Sequence, residues 1–266
     1  MNHLVTGATD GIGLQTAIEL AKKGARVLVH GRTEKKARAA AESVKSHVPK
    51  AEVVPVWGDF GRLSEVRALA AQVQQEAPVL DVLVNNAGVF MKERSVTADG
   101  NETTLQVNHL APFLLTELLL PQLKAAPQGR VVNVSSMAHA RGRVDLEDLQ
   151  SEHHYDGYAA YALSKLLNVH FTHELARRLK GTKVTTYVLH PGVIGTKLLR
   201  TGFGMGGGDL ATGARTSVYC ATAPELASMT GRYYSDARET SAAAHADKPE
   251  LEKKLWDLSQ QLVDAA

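Results

Sequence analysis

Cysteine is almost missing from this chain of 266 residues, because Cys220 is its single representative. One thiol excludes an internal disulfide and a metal site built from four thiolates. We predict that Cys220 is a small buried hydrophobe. A large charge of one sign is missing as well, since 30 Lys and Arg residues against 28 Asp and Glu residues leave a net charge of +2. This balance disfavours a nucleic-acid-binding surface as the main function.

The chain also lacks a long hydrophobic run. The longest, residues 110–123, is interrupted by Thr116, Glu117 and two prolines and is too short to cross a bilayer. Residues 1–3 lead directly into the apolar pair Leu4-Val5, which predicts neither a signal peptide nor an anchor. With 44% hydrophobic and 22% charged residues, the composition is typical of a soluble globular protein. We expect the protein to be cytoplasmic, with no membrane partner.

Short apolar runs alternate with amphipathic stretches along most of the chain, which is typical of βαβ units and a parallel sheet. The predicted strands end at Val5 and cover residues 27–29, 53–56, 80–84, 130–134 and 183–189, with a seventh at 232–234. Pro55 cannot donate to a strand ladder, so the third strand should lie at an edge. This placement fits the doubly wound order 3-2-1-4-5-6. We therefore predict one α/β Rossmann domain over residues 1–266.

Helices are predicted around Leu14 to Ala21 and over residues 33–47, 64–76 and 249–263. A glycine-rich segment follows the sixth strand, with five glycines between Gly202 and Gly208. The chain beyond it is too short for a core of its own, so we interpret it as a mobile loop over a binding cleft. The predicted substrate loop covers about residues 193–212, and we expect the segment from Gly142 to Tyr158 to wall the pocket as well.

A turn with the sequence TGATDGIG joins the first strand to the first helix. Glycines in such a turn allow the backbone to approach a pyrophosphate, whose charge meets free N–H groups at the helix start. The spacing is G-x-x-x-G-x-G rather than the commoner G-x-G-x-x-G. The residues of this turn assigned to dinucleotide binding are Gly7, Thr9, Asp10, Gly11, Ile12 and Gly13.

The end of the second strand favours NADP over NAD. An NAD site carries an acid about twenty residues after the glycine turn, where it accepts from the ribose 2′-hydroxyl. This chain has Gly31 and then Arg32, whose guanidinium suits a 2′-phosphate. The alternative is that Arg32 is a solvated surface charge, which leaves NAD as the second cofactor. Asp10 could either repel the phosphate or cap the first helix.

Tyr161 and Lys165 lie one helical turn apart, and of the seven tyrosines only Tyr161 has a lysine at this spacing. A tyrosine near its ordinary pKa of about 10 is a poor base at neutral pH. A nearby cation should lower that pKa, so that the phenol can move protons on and off an alcohol oxygen.

Together these separated motifs resemble the short-chain dehydrogenase/reductase family over nearly the whole chain. The further matching elements are Asn85-Asn86-Ala87-Gly88 after the fourth strand, Asn108 in the next helix, Ser135-Ser136 after the fifth strand and His190-Pro191-Gly192 after the sixth. All occur in the family's order, at or beside the carboxyl ends of strands, where open α/β sheets bind ligands. Residues 171–179, 231–234 and 255–256 are most similar to the retinol-dehydrogenase-like group, although the chain has no counterpart of the amino-terminal membrane segment of the animal enzymes.

The resemblance implies four catalytic residues. Tyr161 would be the general acid/base, and Lys165 would hold the nicotinamide ribose and lower the tyrosine pKa. Ser136 would bind the substrate oxygen, whereas Ser135 would be structural. Asn108 would hold a water beside Lys165, and it also stands where Pro112 removes the donor for its carbonyl, so a helix kink is a second, compatible interpretation.

The resemblance also assigns cofactor contacts beyond the glycine turn. Asp59 matches the acid that contacts the adenine amine, with Phe60 beside it. Asn86, Ala87 and Gly88 would lie next to the cofactor, and Pro191, Gly192, Val193 and Thr196 match the segment that grips the nicotinamide carboxamide.

These roles predict an oxidoreductase that transfers hydride between nicotinamide and an alcohol or carbonyl compound. No metal is predicted, because His170 and His173 share a helix face but we expect no nearby carboxylate or thiol to complete a metal shell. The two alternatives are a dinucleotide-binding regulatory protein without turnover and a nucleotide-sugar epimerase or dehydratase. The motifs leave monomer and homo-oligomer open.

Overall fold

Helices cover both faces of a mostly parallel sheet in a computed structural model, which describes residues 1–266 but only the backbone of Phe203. The strands are β1 Asn2–Val5, β2 Arg26–Gly31, β3 Val53–Trp57, β4 Val82–Asn85, β5 Gly129–Val134, β6 Val184–His190, β7 Arg232–Ser235 and β8 Arg238–Thr240. Their spatial order is β3-β2-β1-β4-β5-β6-β7-β8, which confirms the predicted topology and the seventh strand. Pro55 lies opposite Val29 on the edge strand β3, where its missing N–H costs no ladder bond.

The sequence analysis missed β8. This strand runs antiparallel to β7, and the two are joined by Asp236 and Ala237, which both have positive φ, of 53° and 55°. Such a two-residue turn normally carries Asn-Gly or Asp-Gly, because those residues tolerate a left-handed backbone. The Asp-Ala pair of this chain lacks the glycine that would have predicted a hairpin turn.

The helices are α1 Gly11–Lys22, α2 Glu34–His47, α3 Leu63–Glu76, α4 Thr103–Leu105, α5 Ala111–Ala125, α6 Gly157–Arg178, α7 Lys197–Phe203, α8 Leu210–Thr222 and α9 Pro249–Asp264. Within the described part of the chain, none of them is both long and apolar enough to span a membrane. Gly202, which we expected in a loop, lies in α7, and Gly204 ends this helix with a φ of 65°.

Successive strand residues face opposite sides of the sheet and bury two cores. Leu4, Leu28 and Leu83 pack with α3, α5, α6 and α9, whereas Val5, Val29 and Val84 pack with α1, α2 and α8. Cys220 of α8 is fully buried in the second core, as predicted. The central strands are thereby fixed with their carboxyl ends at one edge, where the site is built.

The last helix, α9, packs on the outer face of α6. Trp256 stacks against Phe171, and the guanidinium of Arg178 lies 4.2 Å from the Trp256 ring centre. Next to this contact the completely buried carboxylate of Glu252 accepts from His173 Nδ1 at 3.0 Å and contacts the Arg177 guanidinium. These bonds hold the pKa of Glu252 far below its usual range.

This cluster corrects one expectation of the sequence analysis. A carboxylate does lie beside both His170 and His173, at 3.4 and 3.0 Å from their Nδ1 atoms, but it comes from a distant part of the chain. Ligand atoms of His173, Asp247 and Glu252 lie within 4.8 Å of one another. The Arg177 guanidinium already supplies the positive charge at this point, so the cluster is an ion-pair network between α6 and α9.

Candidate active site

A cavity of about 750 Å³ runs along the carboxyl edge of the sheet. It brings together all but one of the residues that the sequence analysis assigned to the site: Gly7, Thr9, Asp10, Gly11, Ile12, Gly13, Arg32, Asp59, Phe60, Asn86, Ala87, Gly88, Ser136, Tyr161, Lys165, Pro191, Gly192, Val193 and Thr196. The exception, Asn108, is fully buried behind the cavity wall. The location agrees with the general position of ligands in doubly wound sheets.

The glycine turn is shaped for close approach by a ligand. A Cβ at Gly13 would lie 2.3 Å from Gly7 O and 2.4 Å from Asn86 Nδ2, so no side chain fits there. The first turn of a helix leaves N–H groups without helical acceptors, and Ile12 and Gly13 at the start of α1 both line the cavity. Open N–H groups beside an uncovered backbone fit a dinucleotide pyrophosphate.

Asp10 is the cap of α1. Its carboxylate accepts from Gly11 N at 2.7 Å, and its backbone is extended, as expected of a residue before the first helical turn. Of the two interpretations that the sequence left open for this acid, the structure shows the capping contact.

His30 is a member of the site that the sequence analysis missed. Its Nδ1 accepts from Gly7 N at 3.1 Å and its Nε2 donates to Gly58 O at 2.9 Å, while its ring stacks on Phe60 with centres 4.7 Å apart. Burial lowers the pKa of His30 to about 4, which keeps the ring neutral with one donor and one acceptor. His30 therefore ties the glycine turn to the end of β3. A histidine inside a strand gave no signal for this role.

Two cations lie at the end of the cavity beyond β2. Arg32 is largely exposed, and its Nε lies 4.0 Å from the Asp59 carboxylate, a loose surface ion pair. Lys36, in the first turn of α2, lines the cavity at this end as well. The last residue of β2 is Gly31, where a Cβ would lie 2.8 Å from Ala37 N, so no acid stands at the end of this strand. The local charge is thus set by Arg32, Lys36 and Asp59.

Ser136, Tyr161 and Lys165 meet in the middle of the cavity. Lys165 Nζ lies 5.6 Å from the Tyr161 ring centre and donates to Val134 O at 3.1 Å. Burial lowers the pKa of Lys165 to about 8, so the ammonium persists at neutral pH. Ser136 begins the 3₁₀ helix Met137–Arg141 directly after β5, and hydrogen bonding joins it to the Tyr161 phenol.

The pKa of Tyr161 shifts in the direction opposite to the one that its spacing from Lys165 predicted. Burial raises it to about 12, and the hydrogen bond with Ser136 opposes part of this rise. The residue is only 8% exposed, so the loss of hydration for a phenolate outweighs the attraction of the nearby ammonium. At neutral pH Tyr161 is a proton donor.

Asn108 supports this group from behind. Its Oδ1 accepts from Val89 N at 2.8 Å, and its Nδ2 donates to Val89 O at 3.0 Å and to Ser164 Oγ at 3.0 Å. It lies in the π-helical turn Gln106–Leu110, just before Pro112, which has no N–H to give to the Asn108 carbonyl. The side-chain amide of Asn108 therefore bonds to Val89 and to Ser164 of α6. Its main-chain carbonyl lacks the usual helical donor, because residue 112 is proline.

The far end of the cavity is apolar and open. Met137, Val193 and Met205 line it and are 58%, 43% and 52% exposed. Leu198 and Leu199 of α7 complete the wall. The base of this segment is closed by Gly208 N to Val193 O at 2.8 Å and Gly195 N to Gly208 O at 2.9 Å. The glycine-rich segment and α7 therefore form one flap over the cavity.

Comparison with known proteins agrees with this geometry. A family model described as short chain dehydrogenase matches residues 2–203. Retinol dehydrogenase 12 of Homo sapiens is 43% identical and retinol dehydrogenase 11 of Homo sapiens is 41% identical, each match covering 98% of this chain and 85% of that protein.

Solved structures give the same result for the fold. The crystal structure of an uncharacterised protein from Mycobacterium paratuberculosis is 35% identical, with a TM-score of 0.84 over 99% of this chain and 93% of that one. A 3-ketoacyl-(acyl-carrier-protein) reductase from Brucella melitensis, complexed with NADH, is 24% identical with a TM-score of 0.70, covering 87% of this chain and 94% of that one.

Proposed function

This chain belongs to the short-chain dehydrogenase family, and we propose that it interconverts an apolar alcohol and its carbonyl compound, with NADP preferred over NAD. The observation that carries this proposal is the meeting of Ser136, Tyr161 and Lys165 between a glycine turn and an apolar pocket. Two of the relatives are named retinol dehydrogenases, so retinol and retinal belong among the first compounds to test.

The bound nicotinamide would supply the hydride acceptor or donor. Tyr161 donates its phenolic proton to the carbonyl oxygen during reduction and accepts it during oxidation. The Ser136 hydroxyl donates to the same oxygen and steadies its developing negative charge. Lys165 stabilises the phenolate that Tyr161 leaves behind, and its position beside Gly88 suits it to hold the nicotinamide ribose, since a Cβ at Gly88 would lie 3.4 Å from Nζ.

Asn108 supports the proton path in this proposal. Because its side-chain amide is bound to Val89 and Ser164, its main-chain carbonyl is the group that accepts from a water beside Lys165. The side chain fixes α6 in place.

A screen of alcohols, aldehydes and ketones with NADPH or NADP, followed at the nicotinamide absorbance, tests the function. We expect stoichiometric conversion of cofactor and substrate. An epimerase or dehydratase would transform its substrate without net cofactor consumption, and a regulatory protein would bind NADPH tightly without any turnover across the screen.

Cofactor preference is predicted to depend on Arg32. A guanidinium bonded to a 2′-phosphate contributes about 1.5–3 kcal/mol, which corresponds to roughly a ten- to hundredfold change in Kd. We expect Arg32→Ala to raise the Kd for NADPH by that factor and to leave the Kd for NADH almost unchanged. Calorimetric titration of both cofactors measures this, and added salt should erode the preference in the wild type.

Arg38→Ala is the matched control, because this exposed arginine pairs with Glu34 on the same helix and does not line the cavity. It should leave both Kd values unchanged. Tighter binding of NADH than NADPH by the wild type would contradict the assignment.

The flap is predicted to close over substrate and exclude water from the hydride path. Amide hydrogen exchange of Gly206 and Gly207 should be fast in the free protein and slow in the presence of cofactor and a substrate analogue. The amides of Gly195 and Gly208 serve as internal controls, because both are hydrogen-bonded at the base of the flap already. Strong and equal protection of Gly206 and Gly207 in both states would rule out a closing flap.

A further inference from the structure

The carbonyl of Ser136 is held by a buried histidine that the mechanism above does not use. His139 is 5% exposed and lies one turn along the same 3₁₀ helix. Its Nδ1 lies 2.7 Å from Ser136 O, which also accepts from His139 N at 3.1 Å. The backbone of the residue that faces the substrate is therefore bound twice by one neighbour.

The other nitrogen of this ring reaches a distant part of the chain. Ala243 N donates to His139 Nε2 at 3.0 Å, across 104 residues. Because Nε2 is the acceptor in this bond, the single ring proton of a neutral His139 must sit on Nδ1 and donate to Ser136 O. Nδ1 thus binds the Ser136 carbonyl and Nε2 binds the Ala243 N–H, so the ring bridges the Ser136 turn to the segment after β8.

Packing fixes the plane of the ring. Tyr233 of β7 lies against it with ring centres 5.0 Å apart, and the Tyr233 hydroxyl is 3.5 Å from Nδ1. Tyr233 itself belongs to a small buried cluster with Leu166 and Val169 of α6. The ring therefore rests on the elements that also carry Tyr161.

Other histidines surround this bridge. Repulsion from His245 and His170 disfavours a second proton on His139, and His139 in turn lowers the pKa of His190. Burial also lowers the pKa of His139. These surroundings keep the ring in the one-proton form that the bridge requires.

We propose that His139 is the positioning residue of Ser136: its Nδ1–H holds the Ser136 carbonyl while Ala243 N–H locks the ring, so that the Ser136 hydroxyl is held ready for the substrate oxygen. This inference rests on the proposed function, since it assigns His139 a part in that reaction. The geometrical part of the inference does not depend on any substrate: the ring carries its proton on Nδ1, and Nε2 accepts from Ala243 N–H.

His139→Leu tests the catalytic consequence. Leucine fills part of the space of the ring with an apolar side chain and removes both ring bonds, so we expect kcat to fall about tenfold while Kd for NADPH is unchanged. Misplacement of a reacting group by about 1 Å can cost a hundredfold. His139→Asn retains a donor at the position of Nδ1 and should recover most of that loss. Equal losses in the two variants would overturn the proposal.

A double-mutant cycle separates positioning from simple structural damage. In a Ser136→Ala background His139→Leu should lower kcat by less than about twofold, because the hydroxyl that it positions is gone. A full additional tenfold loss in that background would show that His139 does not act through Ser136.

Two measurements need no activity and no stable His139 variant. The ¹⁵N shifts of the His139 ring in the wild type should show a protonated Nδ1 and an unprotonated Nε2; the reverse form would overturn the inference. Ala243→Pro, at a residue whose φ of −58° suits proline, replaces the N–H that donates to Nε2 by a ring carbon and so displaces the imidazole from its lock. The ring should then titrate closer to its ordinary pKa of about 6.5, and an unchanged titration would contradict the lock. If the ring passes both tests and no compound turns over, the proposed function alone has failed.

Discussion

Tyr161→Phe is expected to lower kcat by a hundredfold or more in both directions of the reaction. In the proposed reaction the phenol gives the carbonyl oxygen its proton, and loss of a positioned acid/base costs about 10²–10⁴-fold. The ring contacts with Phe90 and the Lys165 ammonium do not need the hydroxyl, so the fold and Kd for NADPH should survive. Steady-state kinetics and calorimetric titration of the same preparation measure the two effects.

Tyr158→Phe is the matched control. Tyr158 lines the same cavity, but the residue four positions after it is Ala162, so it has no lysine on the next helical turn. The substitution should change kcat by no more than a few fold. A Tyr161→Phe enzyme that retained half of its activity on a good substrate would show that another group transfers the proton.

Gly13→Ala is expected to abolish cofactor binding in practice. The new Cβ would lie 2.3 Å from Gly7 O and 2.4 Å from Asn86 Nδ2, so the backbone of the glycine turn must move. Overpacking of this kind costs about 1–3 kcal/mol of stability. Moving the turn also removes the N–H groups from the pyrophosphate, and we expect Kd for NADPH to rise about a hundredfold or more.

Thermal unfolding and calorimetric titration would measure the two parts of this effect. Gln15→Ala, two residues further along the same helix, is the control, because its side chain donates to Glu19 and does not line the cavity. This variant should shift the melting temperature by no more than a few degrees and leave Kd for NADPH unchanged. Wild-type affinity for NADPH in Gly13→Ala would mean that the cofactor does not lie on this turn.

The sequence was sufficient for the features that depend on local pattern. Alternating apolar runs predicted the parallel strands, and Pro55 placed β3 at the edge. The glycine turn and the Tyr161 spacing predicted which residues would meet, because the carboxyl ends of parallel strands share one edge of a sheet.

Other features depend on contacts between distant parts of the chain and left no local signal. Asp236 and Ala237 form a hairpin turn without the usual glycine. His30 has the pattern of an ordinary strand residue, yet it bonds to the turns on both sides. The pKa of Tyr161 follows from burial, which the spacing from Lys165 does not reveal.

The contact between α6 and α9 sets an order of events during synthesis. Arg177 and the carboxylate of Glu252 are 75 residues apart in the chain. At ribosomal speeds of about 5–20 residues per second, the helix that carries Tyr161 is made roughly 4 to 15 s before its buried counter-charge. During that interval His170, His173 and Arg177 face water or a chaperone instead of Glu252. Helix α6 therefore reaches its final packing only when the last helix has left the ribosome.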